Sequence, residues 1–406
     1  MEDVVEEVIR RAIRESRIFR NREALSSDYI PSKLPHREEY IRKVAELLSP
    51  ILRGEKPNNI LIYGLTGTGK TAVVKYVIRK FEEYRERAGS NLFKFSYINC
   101  RNEDTNYRVL FKLGADLGVR LPFTGLSVAE LHNRIREYVE VSGLAVAIVL
   151  DEVDFLVKKV GDDLLYRLTR INDELSKGSV SIVGITNDVK FVESLDPRVR
   201  SSLGEVEIVF PPYDAVQLAD ILRERASIAF KEGVLGEGVI EYCASIAARE
   251  HGDARRALDL LRLAGEIAER EGSPRVEVEH VRKAREELEI NASVELVKTL
   301  PYHSKLLLLA LALEGGYAES TGTLYMRYRK ICESLGVEPL TQRRVSDVVN
   351  ELDMMGVVTA RVVSRGRYGK TKEIALAMDP DALLKALGSD SRIGEYVRVL
   401  KAGRGR

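Results

Sequence analysis

Tryptophan is absent from this 406-residue chain, and it carries only three cysteines and five methionines. Cys100, Cys243 and Cys332 lie far apart with no C-x-x-C spacing, which excludes a zinc ribbon or a disulfide framework and predicts reduced structural thiols. No apolar run approaches the roughly 20 residues of a bilayer span without meeting charge, so no transmembrane helix is expected. The opening stretch, MEDVVEEVIRRAIRES, is acidic and amphipathic, and reads as a helix over residues 1–20 rather than a signal peptide. An excess of either charge sign is also missing: 63 basic residues face 62 acidic ones, a net charge of +1. That balance neither selects nor excludes nucleic acid, because opposite charges can be segregated between domains. What remains is a globular composition, 45% apolar and 31% charged, long enough for two or three domains.

The most informative stretch is PNNILIYGLTGTGKT, residues 57–71. An apolar run, Ile60 to Tyr63, ends abruptly in Gly64-Leu65-Thr66-Gly67-Thr68-Gly69-Lys70-Thr71, and a helix-spaced segment follows. Strand, glycine-rich turn and helix is the context that G-x-x-x-x-G-K-[ST] requires for phosphate binding. The turn would let the backbone N–H groups of Gly64, Thr66, Gly67, Thr68 and Gly69 crowd a polyphosphate at a helix N-terminus. Lys70 would reach the β- and γ-phosphates, and the Thr71 hydroxyl would ligate Mg²⁺. The chain is expected to bind ATP or GTP.

Before this loop, SSDYIPSKLPHREEYIRKVAELL is a proline-punctuated extended segment that enters a helix near Arg37, and Tyr29, Ile30 and His36 are candidates to cover the base. After it, a second strand is expected over 92–100, two helices over 105–118 and 127–141, and a third strand over 144–152. One crossover helix would fill far less of that interval, so the region 101–141 reads as an insertion. The third strand is continuously apolar, as buried parallel strands are, and ends in Asp151-Glu152. Asp151 would hold Mg²⁺ and Glu152 would polarise an attacking water; an acidic pair capping the next helix is the plainer alternative. A helix over 162–177 leads to a strand over 179–187. That strand ends in Asn187, placed to meet a γ-phosphate at the strand C-termini. Arg198 and Arg200 read as a short exposed turn, either trans-acting fingers or a solvated basic turn. From Tyr213 to about residue 290 three helices follow, and Arg255, in the first turn after an Asp253 cap, could reach back across a cleft.

From about residue 293 the pattern changes to three helices, then VVTARVVS and EIALAMD around a glycine-containing tip, a β-hairpin. Three helices and a hairpin make a winged-helix arrangement. Its third helix would present Thr341, Gln342, Arg343 and Arg344 to base edges in the major groove. The hairpin tip adds Arg365, Arg367, Tyr368 and Lys370, and the stretch from Arg361 to Lys372 contains no acid. Residues 293–406 hold 18 basic and 13 acidic residues, net +5, which leaves 45 and 49, net −4, elsewhere. The neutral total conceals a basic C-terminal domain suited to DNA.

Taken together, GEKPNNILIYGLTGTGKT, LPHRE, VLDEVD, GITN, LDPRVRSSLGEVEIVFPPY and GDARRAL resemble the archaeal replication initiators. These are relatives of the eukaryotic origin recognition complex and its cell-division-cycle loader, a branch of the AAA+ ATPases. The resemblance runs over essentially the whole chain. It implies an α/β AAA+ core with a parallel sheet (1–212, with an initiator-type insertion at about 101–141), a helical lid (213–292) and a winged-helix DNA-binding domain (293–406). It makes the loop with Arg120, Pro122 and Gly125 a second DNA contact, and matches Tyr213 and Arg225 to lid positions lining the nucleotide. ATP or ADP with Mg²⁺ would be the cofactors, and double-stranded origin DNA, the replicative helicase and a paralogous initiator the partners, with no membrane. The location would be cytoplasmic, associated with the nucleoid. Ser201-Ser202 stands where eukaryotic relatives carry Ser-Arg, the inter-subunit finger. The expected activity is therefore a slow ATPase used as a switch, in an initiator that binds and distorts origin DNA and helps to load the helicase. The rival reading is an ATP-regulated winged-helix transcription or signalling ATPase.

Overall fold

The computed structural model describes residues 16–27, 29–122, 125–364 and 370–404, with the side chains of 292, 293, 364, 370 and 400–404 outside that description. Most of the amphipathic helix expected over 1–20 lies outside the described residues. Two compact units divide the chain between Val281 and Arg282.

In the first unit, β1 (Ile60–Tyr63), β2 (Phe93–Asn99), β3 (Ala145–Asp151), β4 (Ser179–Thr186) and β5 (Val206–Val209) form a parallel sheet in the order β2-β3-β4-β1-β5. Its helices are α1 (Glu38–Leu48), α2 (Lys70–Ala88), α3 (Asn106–Leu117), α4 (Val128–Ser142), α5 (Val153–Val160), α6 (Asp163–Arg170) and α7 (Pro197–Leu203). Alternation along the strands feeds two cores. Ile60 and Ile62 pack with Val44, Leu48, Val73 and Val77 from α1 and α2. Leu61, Ile148 and Leu150 pack with Leu113, Ile135 and Leu164 from α3, α4 and α6 on the other face. A sheet covered on both sides explains why all seven residues of β3 are buried. The register sets Asn99 beside Asp151 and Tyr63 beside Thr186, so the C-terminal strand ends form one rim.

The insertion folds as expected into α3 and α4, capped by Thr105 and Ser127. The single helix expected over 162–177 is shorter. It ends at Arg170, tightens into a 3₁₀ turn, and is preceded by the separate helix α5. The reason is Asn172, whose side chain donates to the Val180 carbonyl at 2.7 Å and accepts the Val180 N–H at 2.8 Å, diverting the chain onto β4. The exposed turn expected at Arg198 and Arg200 is also corrected. Asp196 caps and Pro197 opens the helix α7, a start signal that the basic residues had masked.

Beyond Tyr213, α8 (Ala215–Ala229), α9 (Val239–Arg249) and α10 (Ala254–Arg270) form the helical lid. Residues 16–26 bind this lid: Arg20 and Asn21 N–H both donate to the Ala229 carbonyl, and Phe19 lies 5.0 Å from Phe230. A further helix, α11 (Val278–Thr299), crosses the boundary between the two units.

The second unit is a winged helix. The almost wholly buried α12 (Tyr302–Leu313), with α13 (Thr321–Leu335) and α14 (Gln342–Met354), packs on a sheet ordered β6-β8-β7. Here β6 is Tyr317–Ala318, β7 Val358–Ser364 and β8 Lys370–Leu376. The hairpin is antiparallel as expected, whereas β6 and two closing helices, α15 (Pro380–Gly388) and α16 (Gly394–Arg404), are additions to the expected pattern.

Candidate nucleotide and nucleic-acid sites

The glycine-rich turn lies between β1 and α2, and its conformation depends on glycine. Gly67 and Gly69 have φ of +70° and +89°, and a Cβ on Gly67 would fall 1.7 Å from an Asp253 oxygen at the start of α10. Gly69 is the N-cap of α2 and supplies no capping side chain, which leaves that helix N-terminus open to an anion. Lys70, only 5% exposed, donates to the Gly64 and Leu65 carbonyls at 2.8 and 2.7 Å and to Asn187 Oδ1 at 2.7 Å. Burial pushes its pKa down to about 8, with Asp151 pulling it up and Arg255 pressing it lower.

One strand along, Asp151 Oδ2 accepts from Thr71 Oγ1 at 2.9 Å and from Tyr97 Oη at 2.6 Å, while Oδ1 accepts the Glu152 N–H at 3.0 Å. The next residue, Glu152, is left-handed, with φ +55°. A left-handed non-glycine costs about 1–2 kcal/mol, the kind of strain that gathers at functional positions. Its carboxylate pairs with Arg101 at 2.8 Å.

These groups open onto a cavity of about 310 Å³, within the usual range for small-molecule sites. The lid contributes Tyr213, Arg225 and Arg255 to its wall, and the N-terminal segment contributes Tyr29 and Ile30. Arg225 is 5% exposed and lies over the Tyr29 ring at 4.8 Å; its Nη2 donates to the Ser26 carbonyl, and its buried Nη1 has no partner among the described residues. Burial holds its pKa below the ordinary arginine value. An orphaned buried donor, an uncapped helix N-terminus and a buried ammonium together fit an anionic, hydrogen-bonding ligand. Thr71 and Asp151, a hydroxyl touching one carboxylate, suit Mg²⁺, which is bound by one or two carboxylates together with phosphates.

Of the candidates for covering the base, His36 turns away, its Nε2 lying 2.9 Å from Asp220 Oδ2. Arg198 folds back onto Asp196 and over the Tyr166 ring, whereas Arg200 is exposed with no ion pair among the described residues. Arg120, Pro122 and Gly125 are exposed in the connection between α3 and α4. Tyr97, Asn99, Arg101 and Arg37 escaped sequence reasoning. The alternating strand 92–100, set next to the one ending in Asp151, was the signal that could have found the first two.

In the second unit, Thr341 caps α14 by accepting the Arg344 N–H, and Gln342, Arg343 and Arg344 are exposed in its first turn. Arg344 lies 3.9 and 3.6 Å from Asp347 and Glu351, whereas Arg343 has no ion-pair partner among the described residues. Lys372 donates to Asn350, which ties the hairpin to α14. Arg365, Arg367 and Tyr368 lie outside the described residues, as does the Lys370 side chain, although Lys370 opens β8 opposite Ser364.

Family profiles match along the chain: an AAA domain over 53–189, a Cdc6 AAA+ ATPase-type lid domain over 219–286 and a Cdc6 C-terminal winged helix domain over 295–386. The chain is 57% identical over 398 residues to ORC1-type DNA replication protein 1 of Sulfurisphaera tokodaii, covering 97% of this chain and 98% of the relative. Among solved structures it resembles the Aeropyrum pernix ORC1 protein in complex with DNA, with a TM-score of 0.79 and 54% identity over 94% of this chain and all of that one. It also resembles Cdc6p from Pyrobaculum aerophilum, with a TM-score of 0.61 and 26% identity over 91% of this chain and 98% of that one.

Proposed function

Because the chain belongs to the ORC1-type DNA replication proteins, AAA+ ATPases with a Cdc6-type lid and winged helix, we propose that it binds replication-origin DNA under control of ATP, distorts the duplex and helps to load the replicative helicase alongside a paralogous initiator. The observation that carries this reading is the joining of two side-chain pairs at one rim, Lys70 with Asn187 and Thr71 with Asp151, beneath a lid that brings Arg255 to the same cavity. Domain limits near 212 and 292 accompany it, as does a cytoplasmic location close to the nucleoid; among the described residues no helix is long and apolar enough to cross a membrane.

In this reading, ATP or ADP occupies the cavity with its phosphates at the N-terminus of α2. The N–H groups of Gly64, Thr66, Gly67, Thr68 and Gly69 and the Lys70 ammonium hold the phosphates. Tyr213 and Arg225 line the nucleotide from the lid, and Arg225 Nη1 has no hydrogen-bond partner among the described residues. A Mg²⁺ held through Thr71 and Asp151 supplies neutralisation of phosphate charge. Glu152 accepts the proton of the attacking water, Asn187 orients the terminal phosphate, and Arg255 adds charge from the lid. Glu152 is tied to Arg101 and Ser201-Ser202 offers no finger, so turnover is slow and nucleotide state acts mainly as a switch on the lid.

On DNA, the first turn of α14, residues Thr341 to Arg344, meets the major groove. Arg365, Arg367, Tyr368 and Lys370 of the wing and Arg120, Pro122 and Gly125 of the insertion contact the duplex. Footprinting on genomic fragments with ATP and with ADP tests this. Protection at origins with strand distortion supports the initiator, whereas protection confined to promoters without distortion would transfer the protein to transcription control.

A further inference from the structure

Arg37 is 2% exposed, and among the described residues no carboxylate is hydrogen-bonded to it. Its Nε donates to the Thr68 carbonyl in the phosphate loop at 2.9 Å, its Nη2 to the Pro211 carbonyl at 2.8 Å and its Nη1 to the His36 carbonyl at 3.0 Å. The guanidinium lies over the Tyr213 ring at 3.7 Å, with Tyr40 and Phe210 at 5.3 and 5.7 Å. Desolvation lowers its pKa, the mark of a cation that is costly to bury. An apolar side chain would fill this space without that cost. Arginine adds a rigid planar fork that fixes two segments at one spacing.

Those two segments are the ones that must communicate. Phe210 is anchored to the sheet through its N–H to the Tyr63 carbonyl, and Tyr213 N–H donates to Gly252 in the lid. Pro211 and Pro212 therefore form the link between core and lid. Gly252 precedes Asp253 and Arg255, so a displacement at Tyr213 carries the start of α10 with it. On the other side, Thr68 is fully buried, so the loop cannot shift there without pushing on whatever holds its carbonyl. A second route exists, since Ala254 N–H donates directly to the Gly67 carbonyl at 3.2 Å. That half-buried contact, like the close approach of Gly69 to the Tyr213 hydroxyl, does not touch Pro211, which Arg37 holds.

We propose that Arg37 is a positioning residue that couples the phosphate loop to the link between core and lid, so that occupancy of the loop sets the lid angle through Thr68, Arg37 and Pro211–Tyr213. The proposal rests on the nucleotide reading of the cavity, and the test separates the two. Dyes are placed at Val141→Cys, on the insertion, and Arg249→Cys, on the lid; both positions are exposed, and the three native cysteines are buried. Energy transfer between them is followed as ATP is titrated, with affinity read separately from a fluorescent nucleotide. Arg37→Lys keeps the charge without the fork, and Arg37→Gln keeps a donor without the charge. Both are expected to bind ATP within about fivefold of the unsubstituted chain while losing most of the ATP-dependent transfer change.

Full retention of the change by either folded variant would overturn the coupling. So would loss of binding and change in strict proportion, or a collapse of thermal unfolding in both variants, which would make Arg37 purely structural. If the unsubstituted chain binds no ATP in the fluorescence titration, the cavity reading falls, and the coupling with it.

Discussion

The nucleotide cavity and the helix-and-wing face carry similar residue types but use charge in opposite ways. At the phosphate-loop end of the cavity the polar groups already have partners: Lys70 on Asn187, Asp151 on Thr71 and Tyr97, Glu152 on Arg101. Lys70 and Asp151 are buried there, where low dielectric makes a contact strong and its loss expensive. On the face of α14 the charges are exposed, and the one ion-paired arginine is held at 3.6–3.9 Å. Water and salt screen such charges, and their worth comes from number rather than geometry. The cavity should therefore fail abruptly when one residue changes, and the DNA face should weaken by degrees.

The sharpest break is expected at Glu152. Glu152→Gln should lower steady-state ATP hydrolysis by about 10²–10⁴-fold, the span of a lost general base, while nucleotide affinity changes little. Normal turnover would return Glu152 to the role of a strained helix cap. Lys70→Ala comes next, removing a charge-assisted contact worth about 3 kcal/mol, or ~100-fold in nucleotide affinity by equilibrium titration. A pH titration sharpens the same point. With the Lys70 pKa pushed down to about 8, the free protein keeps the ammonium below that pH and loses it above. Phosphate favours the charged form, so binding above pH 8 must take up a proton. Affinity should be flat below pH 8 and fall by up to about tenfold per pH unit above it. A flat profile through pH 9 would mean that Lys70 does not meet the phosphates.

How much of this contrast was legible beforehand follows from its physics. Gly64 to Thr71, Asp151 and Asn187 could be read because each stands at the end of an apolar strand, and a parallel sheet gathers such ends at one rim. The winged helix was legible from periodicity and the tip. What could not be read depends on long-range side-chain geometry. Asn172 ends a helix by pairing with Val180, Asp196 makes a helix of an apparently basic turn, and His36 turns to Asp220 although the residues around it line the cavity. Arg37 was invisible for the same reason. An arginine at a helix start reads as solvated, and only the fold shows it buried beneath Tyr213. Domain-scale charge could be counted, but not the pairing of Arg344 with its own helix.

That pairing yields the smallest and most discriminating prediction. Arg343 has no ion-pair partner to release among the described residues, whereas Arg344 must leave Asp347 and Glu351 before it can meet DNA. Arg343→Ala should cost about 1–3 kcal/mol on origin duplex if it reads a base edge, and less on random duplex. Arg344→Ala should cost under about 1 kcal/mol on both duplexes, since its exposed pairs offset part of what a phosphate contact returns. Either change made at a phosphate should reduce the slope of log affinity against log salt by about one. Binding isotherms for the two variants on both duplexes, at several salt concentrations, separate these cases. Equal losses for Arg343→Ala on origin and random DNA would leave the first turn of α14 as a phosphate clamp. The sequence reading would then have to come from the wing, the insertion or the shape of the duplex.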